Sequence, residues 1–236
     1  GKVEEARTYA QATSRLKDYM RDDSKQLLTL MGIPWIQAPS EGEAQAAYLA
    51  KQHATDYCAS QDYDSLLFGA PQLVRNVTIS GRRKLPRKKV YIEVIPETVM
   101  LEQVLRELDI THQQLVDIGL LVGTDFNPDG VKGIGPKTAL RLIREHGAIE
   151  DLLPHLEEAY FPAEPKRIRN IFLHPKVTNN YQLKWKEPDT QAVIDFICGE
   201  RDFSEDRVEK VLTKMIGGIK EAKGKVTLET WFGRQS

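Results

Sequence analysis

Ser40-Glu41-Gly42-Glu43-Ala44 opens a helix-like run, and Ala59-Ser60-Gln61-Asp62-Tyr63-Asp64-Ser65 follows the short apolar stretch after it. Two carboxylate pairs therefore stand at the ends of two predicted elements, one strand–helix unit apart. A further acid, Asp125, follows the apolar run Leu120-Leu121-Val122-Gly123-Thr124. Acids clustered at strand ends form the oxygen-rich cradle that suits magnesium, a hard cation.

Geometry separates the pairs. Thr55 to Ser60 reads as a short buried strand, because small and apolar residues run between breakers. If the extended conformation continues, Asp62 and Asp64 project to the same side. In a loop the same two acids would make local turn hydrogen bonds. Ser40 and Glu43 have the spacing of a capping box, with Ala44 to Lys51 continuing as helix. Within a regular helix Glu41 and Glu43 lie about 200° apart, so they serve one site only if Glu41 sits in a frayed first turn. A cap leaves the other acids, Asp62, Asp64 and Asp125 among them, without an explanation.

Outward from this stretch, helix and short buried strand alternate. Val3 to Met31 predicts a helix, with Ala6, Tyr9, Ala10, Thr13, Leu16 and Met20 at spacings of three and four. Gly32 ends it and Ile33-Pro34-Trp35-Ile36 reads as a strand. Leu73 to Ile79 and Val90 to Ile95 read as strands around the turn Ser80-Gly81 and the basic run Arg82 to Lys89. That run is either a solvated hairpin tip or a phosphate contact. Pro96 predicts a helix carrying Val99, Leu101, Val104, Leu105 and Leu108, and Thr111 caps the next one. The alternation implies an α/β fold with a mainly parallel central sheet flanked by helices. In such sheets ligands bind beyond the carboxyl ends of the strands, where both acid pairs are expected.

The second informative stretch is Val131-Lys132-Gly133-Ile134-Gly135-Pro136-Lys137. Gly-Ile-Gly before a Pro at a helix start exposes successive backbone N–H groups, which suit a phosphate. Glycines at 133 and 135 let a nucleic-acid backbone come close, and Lys132, Lys137 and Arg141 add charge. The plainer reading is a glycine-rich turn between two helices. Beyond it the chain is helical with polar loops. A helix from Phe203 is expected to stop at Gly217-Gly218.

Composition excludes several classes. The chain has 236 residues, 41% hydrophobic and 28% charged, with a net charge of -1, so a nucleic-acid partner would have to be met by local basic patches. Cys58 and Cys198 are the only cysteines, which rules out a disulfide framework or a cysteine-built zinc site. The five histidines are scattered. No signal peptide or apolar span is present, so an intracellular protein, cytoplasmic or nucleoid-associated and without membrane contact, is expected.

Taken together, these motifs resemble the archaeal type of structure-specific flap endonuclease. The matching stretches are Gln37 to Ala44, Ser60 to Gly69, Val122 to Asp125 and Lys132 to Lys137. Arg83-Lys84-Leu85-Pro86 and Thr227-Leu228-Glu229-Thr230-Trp231-Phe232 also fit, so the likeness covers nearly the whole chain. It implies a two-metal, Mg2+-dependent nuclease, with Mn2+ as a substitute, that removes 5′ flaps from branched DNA in replication and repair. Glu41, Glu43, Asp62, Asp64 and Asp125 would surround the metals. Asp62, Asp64 and Asp125 would serve one metal and Glu43 would bridge or bind the other. Glu41 would orient bound water. The resemblance also implies a helix-hairpin-helix over about 115–145 that holds duplex DNA with a bound K+.

Residues 1–216 would be the later part of the 5′ nuclease domain. Residues 217–236 would be a flexible tail binding a ring-shaped sliding clamp through Leu228, Trp231 and Phe232, with Lys225 where the family usually has Gln. The family's N-terminal strand, two more metal-site aspartates and most of a helical arch would precede Gly1, so an incomplete site is expected. The competing expectations are a non-catalytic DNA- and clamp-binding module, and a related exonuclease or bubble-cutting nuclease.

Overall fold

The computed structural model describes residues 17–78, 81–84, 90–156 and 159–232, with the backbone alone at 82–84 and 222–232. The first part of the helix predicted from Val3, and residues 85–89 of the basic run, lie outside the described residues. The chain divides into two compact units, one made of Gly1–Ile36 with Asn180–Ser236, the other of Gln37–Asn179.

The unit Gln37–Asn179 holds the sheet. In chain order its elements are α2 (Gly42–Lys51), β1 (Cys58–Ala59), α3 (Asp64–Leu67), β2 (Gln72–Arg75), β3 (Gly81–Lys84) and β4 (Tyr91–Val94). They are followed by β5 (Glu97–Met100), α4 (Leu101–Leu108), α5 (His112–Val122), α6 (Pro136–His146), α7 (Ile149–Leu152) and α8 (Pro165–Leu173). The strand order is β1-β2-β5. β1 runs parallel to β2, with Cys58 opposite Leu73, whereas β2 and β5 are antiparallel, with Leu73 opposite Val99. β3 and β4 form a separate antiparallel pair.

The α/β class thus holds, but the sheet of the described residues is small and mixed, not mainly parallel. The reason is local. Pro96 and Glu97 were expected to start a helix. Instead Thr98 and Val99, both β-branched and at home on a pleated surface, extend the sheet, and the helix begins only at Leu101. Ile33–Ile36 also joins no ladder among the described residues. Pro34 has no N–H to give one.

The core of this unit is apolar. Ala44 and Ala47 from α2, Leu73 from β2, Leu120 and Leu121 from α5, Ile143 from α6 and Phe172 from α8 are buried. Phe172 packs on Phe68 with ring centroids 4.9 Å apart and edge-on to Phe126 at 5.5 Å. The predicted cap of α5 forms in full: Thr111 Oγ1 accepts from the Gln114 backbone, and the Gln114 side chain accepts from the Thr111 backbone. Asp117 of α5 is fully buried, and Arg169 of α8 donates to it from Nε at 2.5 Å and to Glu150 from Nη2 at 2.5 Å. Burial pushes the Asp117 carboxyl up to about 6, outweighing the guanidinium beside it.

The other unit contains α1 (Asp18–Leu30), α9 (Thr190–Ile194), a π-helical segment over Asp195–Glu200 and α10 (Glu205–Phe232). Backbone bonds from Lys186 N–H to the Gly32 carbonyl and from Asp189 N–H to the Leu30 carbonyl, both 2.9 Å, tie its two sequence-distant halves. Gly32 sits at φ +71°, and a Cβ there would stand 2.3 Å from the Lys186 carbonyl oxygen. Only glycine meets both demands. Arg201 adds a forked pair to Asp23, 2.7 Å on each arm.

α10 runs through Gly217-Gly218, where the sequence predicts a stop and a flexible tail. Each helical glycine costs about 1 kcal/mol, and the flanking Ile, Lys, Glu and Ala residues carry the helix across them. Among the described residues no helix is long and apolar enough to cross a membrane.

Candidate metal centre and nucleic-acid interface

Glu41 is the N-cap of α2 in extended conformation, without a side-chain cap bond, and the predicted Ser40–Glu43 capping box does not form. Because the helix starts one residue later than the box requires, the Glu43 carboxylate is released to turn inward. Ser60 donates to it, and so does Ser65 at 3.4 Å. Partial burial raises the Glu43 carboxyl above its ordinary range; the Ser60 bond opposes this, and the charges of Asp64 and Asp62 add to it.

Asp62 and Asp64 are not on a continued strand. β1 stops at Ala59, Ser60 N–H bonds to the Val74 carbonyl at 3.2 Å, and the chain then bends. Tyr63 has helical dihedrals and Asp64 is the first residue of α3. Turn geometry, rather than strand alternation, brings both acids to the site. Ser60 serves twice here, since its Oγ also accepts from the Asp62 backbone N–H at 3.1 Å. The Asp64 carboxyl is raised by burial first, then by the charges of Asp125, Asp62 and Glu41.

Asp125 is presented by a tight loop after α5. Thr124 and Asn127 exchange backbone bonds of 3.1 and 2.9 Å, and the Asn127 side chain donates to the Leu120 carbonyl at 2.8 Å. Gly123 at φ +122° turns the chain out of the helix.

Glu43, Asp62, Asp64 and Asp125 line one cavity of about 570 Å3, together with Arg75, Tyr63 and Thr124. Glu41 is absent from that lining, although its charge reaches Asp64. Among the described residues no three His, Cys, Asp or Glu side chains already converge tightly enough to cage an ion. The donor set nevertheless fits a hard divalent cation. After burial, neighbouring negative charge is what raises the Glu43 and Asp64 carboxyls further, and a cation would relieve that repulsion. Thr124 Oγ1 is also buried with no hydrogen-bond partner, leaving a further oxygen unused beside them.

The hairpin residues come together on a separate exposed turn. Gly135 is the N-cap of α6 and Pro136 its first residue. A Cβ on Gly133 or Gly135 would meet nothing within 4 Å. Lys132, Gly133, Gly135 and Lys137 are all exposed. Arg141, one turn on, is exposed and paired with Glu145 at 2.9 Å. The Lys225, Leu228, Trp231 and Phe232 side chains lie outside the described residues. Sequence reasoning gave no role to Ser60, Thr124 or Arg75. Arg75 was read as part of a strand, and only its partners across the fold reveal more.

The XPG I-region family matches residues 32–125, a span that contains all five acids. The chain is 52% identical over 235 residues to flap endonuclease 1 of Thermococcus onnurineus, covering 100% of this chain and 67% of that protein. This chain belongs to the flap endonuclease family. Flap endonuclease 1 of Pyrococcus furiosus is 50% identical over 99% of the chain and 67% of its own length. The solved flap endonuclease-1 from Methanococcus jannaschii superposes with a TM-score of 0.74 at 43% identity, over 94% of this chain and 64% of that one.

The catalytic core of Rad2 in complex with DNA substrate shares the fold, with a TM-score of 0.67 at 20% identity over 90% of this chain and 72% of that one. The chain thus spans about two thirds of the length of the flap endonucleases it matches. Flap endonucleases are divalent-metal-dependent nuclease hydrolases that act on branched DNA.

Proposed function

We propose that this chain supplies the carboxylate wall of a magnesium-dependent centre that hydrolyses DNA phosphodiesters at 5′ flaps. The observation that carries the proposal is the convergence of Glu43, Asp62, Asp64 and Asp125 on one cavity from α2, the β1–α3 turn and the loop after α5. Asp62, Asp64 and Asp125 would hold one Mg2+ and Glu43 would serve a second, with Mn2+ as a substitute. Bound metal would polarise the phosphoryl group and stabilise the leaving oxygen.

The chain's own groups do the positioning. Ser60 fixes the Glu43 carboxylate and the Asp62 backbone with one hydroxyl. Glu41, exposed at the mouth of α2, orients water. The turn at Lys132, Gly133, Gly135 and Lys137, with Arg141 behind it, would hold duplex phosphates with the help of a K+, and the C-terminal residues would dock on a sliding clamp. The whole would act on 5′ flaps in replication and repair, within the cell.

The second reading is a DNA- and clamp-binding module without catalysis. It is favoured by the acids not yet being gathered around one point. Cleavage of flap, nicked and bubble DNA with Mg2+ or with chelator, by this chain and by a protein of its relatives' full length, separates the two. Metal-dependent flap cleavage by the longer protein is expected. DNA binding without any cleavage by the longer protein would establish the second reading.

A further inference from the structure

Among the described residues Arg75 is the cation lining the acid cavity, and its contacts join the sheet to the turn that presents Asp62 and Asp64. It lies at the end of β2, opposite Glu97 in the antiparallel register. Its Nη1 pairs with Glu97 at 3.1 Å, which anchors the guanidinium to the sheet. Its Nε donates to the Gln61 carbonyl at 3.1 Å. Its plane lies over the Tyr63 ring, with Cζ 4.1 Å from the centroid, and Nη1 also donates to the Tyr63 hydroxyl. The residues on either side of Asp62 are thus held by one side chain, and Tyr63 directly precedes Asp64. The side chain is only 21% exposed, whereas Tyr63 is 49% exposed.

We infer that Arg75 is a positioning residue for the metal centre: it clamps the Gln61–Tyr63 turn so that Asp62 and Asp64 face one ion. This rests on the reading of the acids as metal ligands. The clamp competes with an electrostatic effect of opposite sign. A cation beside carboxylates repels a divalent ion, so charge alone predicts tighter metal binding when Arg75 is removed. Positioning predicts weaker binding, since groups that orient ligands from behind typically carry 10- to 100-fold in metal affinity. A planar fork on an aromatic face is something lysine cannot reproduce.

The test is Mn2+ binding to the protein at its relatives' full length, read from the free-ion paramagnetic resonance signal, for the wild type, Arg75→Met, Arg75→Lys and Asp64→Asn. Arg75→Met is expected to bind about tenfold or more weakly. Arg75→Lys, which keeps the charge and can still reach Glu97, is expected to stay well below wild type. Equal or tighter binding by a folded Arg75→Met, or full recovery in Arg75→Lys, overturns the clamp. If Arg75→Met does not fold, the lysine variant decides alone. Wild-type affinity in Asp64→Asn, or no Mn2+ binding by the wild type, refutes instead the metal-site reading beneath it.

Discussion

At the scale of single residues, charge and burial decide. Asp62→Asn and Asp64→Asn keep the shape of each side chain but remove charge that a divalent ion needs. In a protein of full family length each should abolish metal-dependent flap cleavage and leave DNA binding intact, or slightly tighter without metal because repulsion of phosphate falls. Flap-cleavage rates at ordinary Mg2+ and binding in chelator check this; full activity in both variants would remove the acids from the mechanism. Asp117 makes a different prediction, about stability. Its carboxyl titrates near 6 when folded and near 3.9 when unfolded. The folded state therefore holds the proton more tightly. The stabilisation is complete below about pH 4, is lost between roughly pH 4 and 6, and changes no further above that. Relative to Asp117→Asn, the wild type should lose about 2–3 kcal/mol across that window, measured by urea unfolding at several pH values. A flat difference would mean that Arg169 keeps the acid ionised throughout.

At the scale of elements, the hairpin before α6 offers a cleaner test than its sequence suggested. Gly133 has φ +83°, so a side chain there strains the backbone whether or not DNA is present. Gly135 has an ordinary extended backbone, with open space where a Cβ would go. Gly135→Val should therefore fold normally, and any loss of duplex affinity reports the close approach of a phosphate. Lys137→Ala should weaken binding evenly across sequences and flatten the salt dependence by about one phosphate contact. Fluorescence anisotropy over a salt series reads both, and unchanged affinity in the folded Gly135→Val would count against the hairpin.

What the sequence made legible at this scale was whatever rests on local spacing: α5 with its Thr111 cap, and α6 with Pro136 at its start. Where long-range pairing decided, it was not legible. Thr98 and Val99 sit in a window whose leucines spell a helix, and only β2 recruits them to the sheet. Ser40 and Glu43 satisfy the capping pattern, but Glu41 takes the cap, and Ser60, distant in sequence, claims Glu43. The acids stand out because residue type is visible in a sequence. The groups proposed to aim them, Ser60 and Arg75, do not, because hydroxyls and strand arginines are common and their partners are remote.

At the scale of the whole molecule, α10 carries the proposed clamp-binding residues at its far end. A chain ending at Gly224 should lose clamp affinity, and Lys225→Gln should gain about 1 kcal/mol, the size of one net hydrogen bond. Surface-bound clamp titrated with each chain checks both, and equal affinity of the shortened chain would end the assignment. The knot of bonds around Gly32 has another consequence. It joins Leu30 and Gly32 to Lys186 and Asp189, and Arg201 to Asp23, across the entire intervening stretch Gln37–Asn179. A chain emerging from the ribosome has all of that intervening stretch before it has Lys186. The unit that contains the acid cavity can therefore collapse on its own core while α1 still waits for its partners, and a segment made after that unit closes the loop around it.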